Sequence, residues 1–253
     1  IPGQTPATWR ETLHGVLQTA PAHLSLYGLI LEEGTPFWSM RDVLPLPDED
    51  TERAMYMDAV DMLAARGYAQ YEISNFARDG AFSRHNYRYW NGDEYLGIGL
   101  SAHGYLDGQR YAHGRDLAAY LAGEDDVTVT ESPDVREAAL DYVMLRMRLC
   151  EGVDSAVFEN RFGLSFAPVE KALSPYLAER CPSPQPLLYR VGTRWALTPA
   201  GFYVSNTILS DLPDAAEMTP IAPPFAFSTA SSAALRFPAS KWANEQVAKN
   251  HNA

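Results

Sequence analysis

Three observations predict the fold class. Near the N-terminus a helical pattern runs into a nearly continuous apolar stretch, the repeating unit of an α/β barrel or parallel sheet. A second helix-then-strand pair follows. Beyond residue 134 come three helical patterns, a hairpin pattern and a last helix, the order of a winged-helix-like α+β domain. The sequence therefore predicts an α/β chain. Residues 1–125 are expected to form barrel or parallel-sheet units, residues 134–212 a small winged-helix-like domain, and residues 213–253 an atypical, flexible tail.

Each element has a local reason. Thr5-Pro6 reads as an N-cap with proline at the first helical position. Trp9, Leu13, Val16 and Leu17 then follow helical spacing, and Pro21 closes the helix. The apolar run from Leu24 to Leu31 predicts a strand covered on both faces. Gly34, Pro36, Pro45 and Pro47 mark a long loop over 32–47. Asp48 to Asp50 place acids at the start of a second helix, where the helix dipole favours them. Tyr56, Ala59, Val60 and Leu63 share its apolar face, and Gly67 fits its C-terminal stop. Tyr68 to Ser74 alternates apolar and polar residues, as a half-buried strand does. Residues 75–95 read as loop, residues 97–104 as a glycine-rich turn and residues 112–133 as a connection between domains.

The second block starts near Asp134, with Ala138, Tyr142, Leu145 and Leu149 on one helical face. A short helix at about 154–162 stops at Gly163. A third at about 167–180 is kinked or ended early by Pro175. Leu187 to Leu197 turns around Gly192 as a hairpin, and Thr198-Pro199 opens the last helix. Prolines 213, 220, 223, 224 and 238 then interrupt a Ser- and Ala-rich stretch without periodicity, which reads as a loosely packed tail.

Composition narrows the function classes. The net charge of −12 argues against a general nucleic-acid binder, because phosphate attraction needs clustered Lys and Arg. Residues 196–235 contain no Lys or Arg, and the 167–180 helix balances Lys171 and Arg180 against Glu170 and Glu179. No apolar run reaches the ~18 residues of a transmembrane helix, and no charged, apolar leader is visible. The two cysteines, Cys150 and Cys181, are far apart and make no disulfide framework, which favours a reducing, cytoplasmic location.

The chemistry-bearing stretch is His85-Asn86-Tyr87-Arg88-Tyr89-Trp90. A neutral imidazole ligates haem iron, and flat aromatic faces suit a planar macrocycle. Upstream lies Gln70-Tyr71-Glu72-Ile73-Ser74-Asn75-Phe76-Ala77; downstream lies Tyr95-Leu96-Gly97-Ile98-Gly99-Leu100-Ser101-Ala102-His103-Gly104. This set resembles the oxygen-independent coproporphyrinogen III oxidase-like radical SAM proteins, in the branch described as haem chaperones. His85, Asn86, Tyr89 and Trp90 match that branch's HNxxYW signature. Ile1 to Thr5, His23 to Leu29, Glu32 to Pro36 and Leu197 to Asn206 match further segments in the right order, so the resemblance covers most of residues 1–212.

The resemblance implies a radical SAM barrel with a small C-terminal domain, and haem, SAM and a [4Fe–4S] cluster as cofactors of the complete protein. It also implies haem or porphyrin and haem-acceptor proteins as partners, and leaves room for peripheral membrane contact. It makes His85 the haem-iron ligand, with Asn86 orienting it and Tyr89 and Trp90 stacking on the porphyrin. Taken singly, each has a plainer role: a packed histidine, a turn-forming asparagine and two core aromatics. Arg84 and Arg88 are candidates for propionate pairing or for a solvated surface. Gln4, Gly97, Gly99, Ala102 and His103 correspond to the SAM pocket; His103 is equally suited to a structural place. Glu72 reads as a structural carboxylate that fixes a loop, and nothing local assembles His85, His103 and His113 into a zinc site.

One departure stands against these matches. Radical SAM proteins hold their cluster through CxxxCxxC, and neither Cys150 nor Cys181 belongs to such a pattern. The chain also opens inside a motif, at Ile1-Pro2-Gly3, and is expected to be the C-terminal part of a longer protein. Three functions then compete: a haem-binding chaperone that hands haem to acceptors, an oxygen-independent coproporphyrinogen III oxidase that decarboxylates two propionates by radical chemistry, and a winged-helix nucleic-acid binder, ranked last. A four-iron cluster takes several thiolates from one site. Anaerobic reconstitution of this chain should therefore leave it far short of about four irons per chain, and a full complement measured by iron and sulfide assay would overturn that expectation.

Overall fold

The computed structural model describes residues 1–124, 126–177 and 186–221. The chain begins with α1 (Pro6–Gln18), capped by a Thr5–Thr8 capping box, and β1 (His23–Ser25). The short α2 (Pro36–Ser39) and the longer α3 (Glu49–Ala64) follow, α3 capped by the Asp48 carboxylate on the Thr51 N–H. Next come β2 (Ala69–Gln70) and β3 (Asn75–Ala77). The three strands pair antiparallel in the order β1-β3-β2. Leu17, Leu63, Tyr68 and Phe76 are buried together and fasten α1 and α3 to this sheet.

The predicted strand over Leu24–Leu31 is shorter than its apolarity implies. It pairs only as far as Ser25, and Tyr27, Leu29 and Ile30 are exposed. A strand needs a neighbour for its backbone, and apolar side chains alone do not supply one. The half-buried strand over Tyr68–Ser74 breaks in the same way. Residues 71–74 leave the ladder to form a turn, because that turn bonds elsewhere. The Ile73 N–H donates to the Arg148 carbonyl at 2.9 Å, and the Cys150 N–H donates to the Tyr71 carbonyl at 3.0 Å.

Residues 75–95 are likewise not simply loop. They hold β3 and then α4 (Arg84–Trp90), capped by the Ser83 hydroxyl. A second antiparallel sheet follows: β4 (His103–Leu106), β5 (Gln109–His113) and, past α5 (Leu117–Ala122), β6 (Val127–Glu131). The connection expected over 112–133 thus contains the end of β5, a helix and an edge strand. The polar, β-branched run Val127–Glu131 buries no side chain, so its pairing with β5 was invisible to a burial pattern.

The C-terminal block follows its sequence pattern closely. It contains α6 (Val135–Arg146) with an Asp134–Glu137 capping box, β7 (Val153–Asp154), α7 (Ser155–Phe162) stopped by left-handed Gly163, and α8 (Ala167–Leu173). Pro175 falls in a 3-10 turn that ends α8 early, and the end of that helical pattern at 178–180 lies outside the described residues. Then come β8 (Leu188–Val191), β9 (Arg194–Leu197), α9 (Pro199–Tyr203) and α10 (Ser205–Ser210). Its sheet runs β7-β9-β8, so β9 is central, with Trp195 fully buried. Phe158, Phe166 and Trp195 stack in sequence, with ring centroids 5.2 and 6.2 Å apart. The stretch expected to be a loose tail from 213 onward starts packed. Met218 is fully buried in this core and Pro220 bridges Leu164. Residues 222–253, which held the rest of that expectation, and Cys181 lie outside the described residues.

Phe158 lies at the centre of this core, with ring contacts to both Phe162 and Phe166. Phe158→Ala should cost about 3–5 kcal/mol by leaving a cavity that the fused elements around it cannot close. Urea unfolding of wild type and variant measures it directly.

Candidate functional site

The motif His85-Asn86-Tyr87-Arg88-Tyr89-Trp90 lies on α4, and the helix splits it into two faces. His85 and Tyr89 are four residues apart and share one face; Asn86 and Trp90 share another. The His85 imidazole is exposed and meets the Tyr89 ring edge-on at 4.8 Å. Tyr89 in turn meets Tyr95 at 4.4 Å, and Tyr95 pairs with Tyr105 of β4 through two backbone hydrogen bonds. Behind Tyr89 lies a cavity of about 190 Å3, lined among others by Tyr95, Tyr105, Tyr142, Arg161 and Phe162. Arg161 comes from α7 and was not singled out in the sequence; its guanidinium sits 4.7 Å from the Tyr142 ring.

Trp90 faces inward. Its ring lies 5.8 Å from the Arg148 guanidinium, and its buried indole nitrogen has no hydrogen-bond partner among the described residues. That nitrogen approaches the Glu72 carboxylate closely enough to lower its pKa, yet falls short of hydrogen-bond geometry. Glu72 is fully buried. It accepts from the Ser74 N–H at 3.2 Å and from the Asn75 side-chain amide. Burial pushes its pKa up to about 7, against the lowering effect of the Ser74 and Trp90 donors. The neighbouring Cys150 thiol is pushed up to about 12, by burial first and by the Glu72 and Glu151 charges next, so it is an inert thiol.

The rest of α4 is clamped from both ends. At its start, the Tyr71 hydroxyl accepts from the Ser83 N–H at 3.2 Å and bonds the His23 imidazole at 2.9 Å. At its end, the Arg146 guanidinium bonds the Asn91 side chain and pairs with Glu151 at 2.9 Å. The Tyr87 hydroxyl donates to the same Glu151 at 2.5 Å. Arg84 is exposed, and Arg88 reaches only the Glu94 carbonyl, at 3.5 Å.

The glycine-rich segment is explained largely by its own packing. A side chain at Gly97 would strike the His103 carbonyl, 2.2 Å away, and Gly99 has φ +107°, which favours glycine. The Gly97 N–H donates to the Tyr111 hydroxyl at 3.0 Å, and its carbonyl contacts His113 at 2.9 Å. Ala102 is half-buried and bonded to Gly99 and His113 through its backbone; His103 is exposed at the start of β4. Gln4 bonds the N-terminal amine at 2.9 Å. Among the described residues no three His, Cys, Asp or Glu side chains converge as a metal site, so His85, His103 and His113 are not gathered into one.

Residues 134–204 match the HemN C-terminal domain model. The chain is 36% identical to the heme chaperone HemW of Lactococcus lactis over 212 residues, covering 82% of this chain and 55% of that protein. It is 31% identical to the heme chaperone HemW of Escherichia coli over 219 residues, covering 83% and 54%. Its fold superposes on the coproporphyrinogen III oxidase HemN of Escherichia coli with a TM-score of 0.66 at 18% identity, covering 84% of this chain and 52% of that one. The chain is thus related to the HemW proteins over most of its length and, over residues 134–204, to the HemN C-terminal domain. The likeness to HemN is one of fold and takes in the C-terminal part of that fold. The chain spans about half the length of the HemW proteins it matches.

Glu72 makes a stability prediction with a definite sign. The fold favours its neutral form, so its contribution is complete below about 4.5 and is lost as pH rises to about 7. Above that, the buried charge costs up to about 3 kcal/mol. Glu72→Gln should therefore gain more stability over wild type at high pH than at low pH in urea unfolding. An equal gain on both sides of neutrality would contradict the assignment.

Proposed function

We propose that this chain is the haem-binding part of a HemW-like chaperone, and that His85 is its ligand to haem iron. The observation that carries the reading is the accessible His85 imidazole, held on a short, clamped helix with Tyr89 and Tyr95 behind it. Haem is cargo in this reading, bound by one imidazole on an open surface and released to an acceptor protein. An exposed site suits release, because the bound macrocycle stays reachable. Asn86 keeps the orienting role that the motif implies, whereas Trp90, which faces inward on the other face of α4, acts on haem binding by anchoring α4 from within.

The SAM and cluster side of the family's chemistry is treated differently. Gln4, Gly97, Gly99, Ala102 and His103 remain the candidate SAM-pocket residues of the complete protein. For the [4Fe–4S] cluster the donor set does not fit: Cys150 is half-buried with its thiol held protonated, and Cys181 lies outside the described residues. No step is therefore routed through a cluster. The alternative, a coproporphyrinogen III oxidase, is favoured less, because the curated relatives that share the longest aligned stretches are heme chaperones.

The helix–strand–helix–helix–hairpin order of residues 135–197 supports a winged-helix-like reading of the C-terminal domain. Its α8 offers no basic face: Glu170 pairs with Arg190 at 2.7 Å, leaving Lys171 beside it. Contacts to protein are the better reading than contacts to nucleic acid. Among the described residues no helix is long and apolar enough to cross a membrane. A cytoplasmic place, with peripheral membrane contact where haem is handed over, completes the proposal.

Added haemin should give a sharpened, shifted Soret band with this chain. His85→Ala should abolish most of the shift and His103→Ala should preserve it. Trp90→Ala should weaken binding on the order of 1 kcal/mol. Haemin that merely adheres to exposed apolar side chains would bind all three variants alike, and that result would sink the reading.

A further inference from the structure

We propose that Glu72 is a positioning residue for the motif helix: through Trp90 it sets the orientation of α4, and so of the His85–Tyr89 face that α4 presents. The part of this proposal that concerns haem rests on the reading of His85 above; the part that concerns the helix does not.

The argument starts from an unusual carboxylate. Glu72 is fully buried, and none of the ion pairs among the described residues includes it. Its donors are the Ser74 N–H and the Asn75 amide, both from its own turn. The Trp90 indole N–H, buried and without a partner among the described residues, also approaches it. A neutral carboxyl carries an O–H of its own and has less need of further donors. An ionised one in a dry pocket gains most from a further donor, because a charge-assisted hydrogen bond is about twice as strong as a neutral one. Ionisation of Glu72 therefore draws the Trp90 N–H into a hydrogen bond it lacks in this structure. Trp90 is the last residue of α4, Tyr89 is its neighbour, and His85 stands one turn back on the Tyr89 face. A displacement of Trp90 is transmitted through this short helix to the exposed imidazole.

The surrounding groups leave Glu72 as the principal titrating partner. From α3, Tyr56 is pushed up to about 12, mainly by burial. After α6, Cys150 is also pushed up to about 12, Arg148 remains a cation over Trp90, and Glu151 is held low by Tyr87 and Arg146 against its burial. In its own turn, burial raises Tyr71 further from neutrality. From β1, His23 bonds the Tyr71 hydroxyl, and burial lowers its pKa from 6.5. His23 is thus the one neighbour whose titration needs separating from that of Glu72.

The test uses this chain as wild type, Glu72→Gln, Trp90→Phe and His23→Gln, with circular dichroism to check that each is folded. Tryptophan emission of the haem-free proteins is titrated between about pH 5.5 and 8.5, and the Soret band of the haemin-loaded proteins is followed over the same range. Wild type should show an emission transition with a midpoint at about 7. Glu72→Gln and Trp90→Phe should lose it, and His23→Gln should keep it. The Soret band of wild type should move with the same midpoint, while Glu72→Gln shows the low-pH wild-type spectrum throughout. A flat emission titration in wild type, a transition that survives Glu72→Gln or Trp90→Phe, or one lost in His23→Gln overturns the proposal and leaves the haem reading intact. An emission transition as expected, without any His85-dependent Soret band, overturns the haem reading and leaves the coupling of Glu72 to Trp90 standing.

Discussion

The structure depends on one buried carboxylate and the turn that carries it. Glu72 lies at the point where the N-terminal sheet, the motif helix and the C-terminal block meet. Its backbone bridges Leu149, its side chain binds Ser74 and Asn75, and the Trp90 indole lies against it. A buried carboxylate without a cation is costly, and it persists only where its surroundings give it donors or a proton. Here both are present, since the raised pKa of about 7 lets the group keep its proton over the mildly acidic range and share it about equally at neutrality. The turn breaks what sequence alone presents as one strand, and that break lets residues 71–73 pair with residues 148–150.

From this junction the motif helix acquires its two faces. Trp90 anchors it inward, Tyr87 and Asn91 tie it to Glu151 and Arg146, and Ser83 starts it under the Tyr71 hydroxyl. With so many inward ties, the direction of the His85–Tyr89 face follows from how these inward groups bond, while the face itself stays open. On the proposed haem reading, that lets inward contacts orient the imidazole while leaving an acceptor room to approach.

Family resemblance and geometry contribute different parts of this picture. The matched relatives supply the word haem, and about half of their length lies beyond what this chain matches. The geometry supplies the accessible His85 imidazole, the inward-facing Trp90 and the protonated Cys150 thiol. It also shows that glycines matched to a cofactor pocket have reasons of their own, since Gly97 is required by the His103 carbonyl and Gly99 by its backbone angle.

Sequence by itself determined whatever depends on neighbours within a few residues. The caps at Thr5, Asp48, Asp134 and Thr198, the stop at Gly163, the break at Pro175 and the hairpin around Gly192 all follow from local hydrogen bonding and φ preferences. The importance of residues 85–90 was also legible, as a cluster of ligand and aromatic types. Their helix was not, although the i, i+4 spacing of His85 with Tyr89 and of Asn86 with Trp90 was a signal for it. Only the tertiary structure decided which apolar runs became strands, because strands need partners distant in sequence. Leu24–Leu31 finds one for only part of its length, while Val127–Glu131 pairs with β5 without burying a side chain. It also decided that Glu72, Trp90, Arg148 and Cys150 share one pocket. Burial and charge there are set by residues far apart along the chain, which no local pattern records.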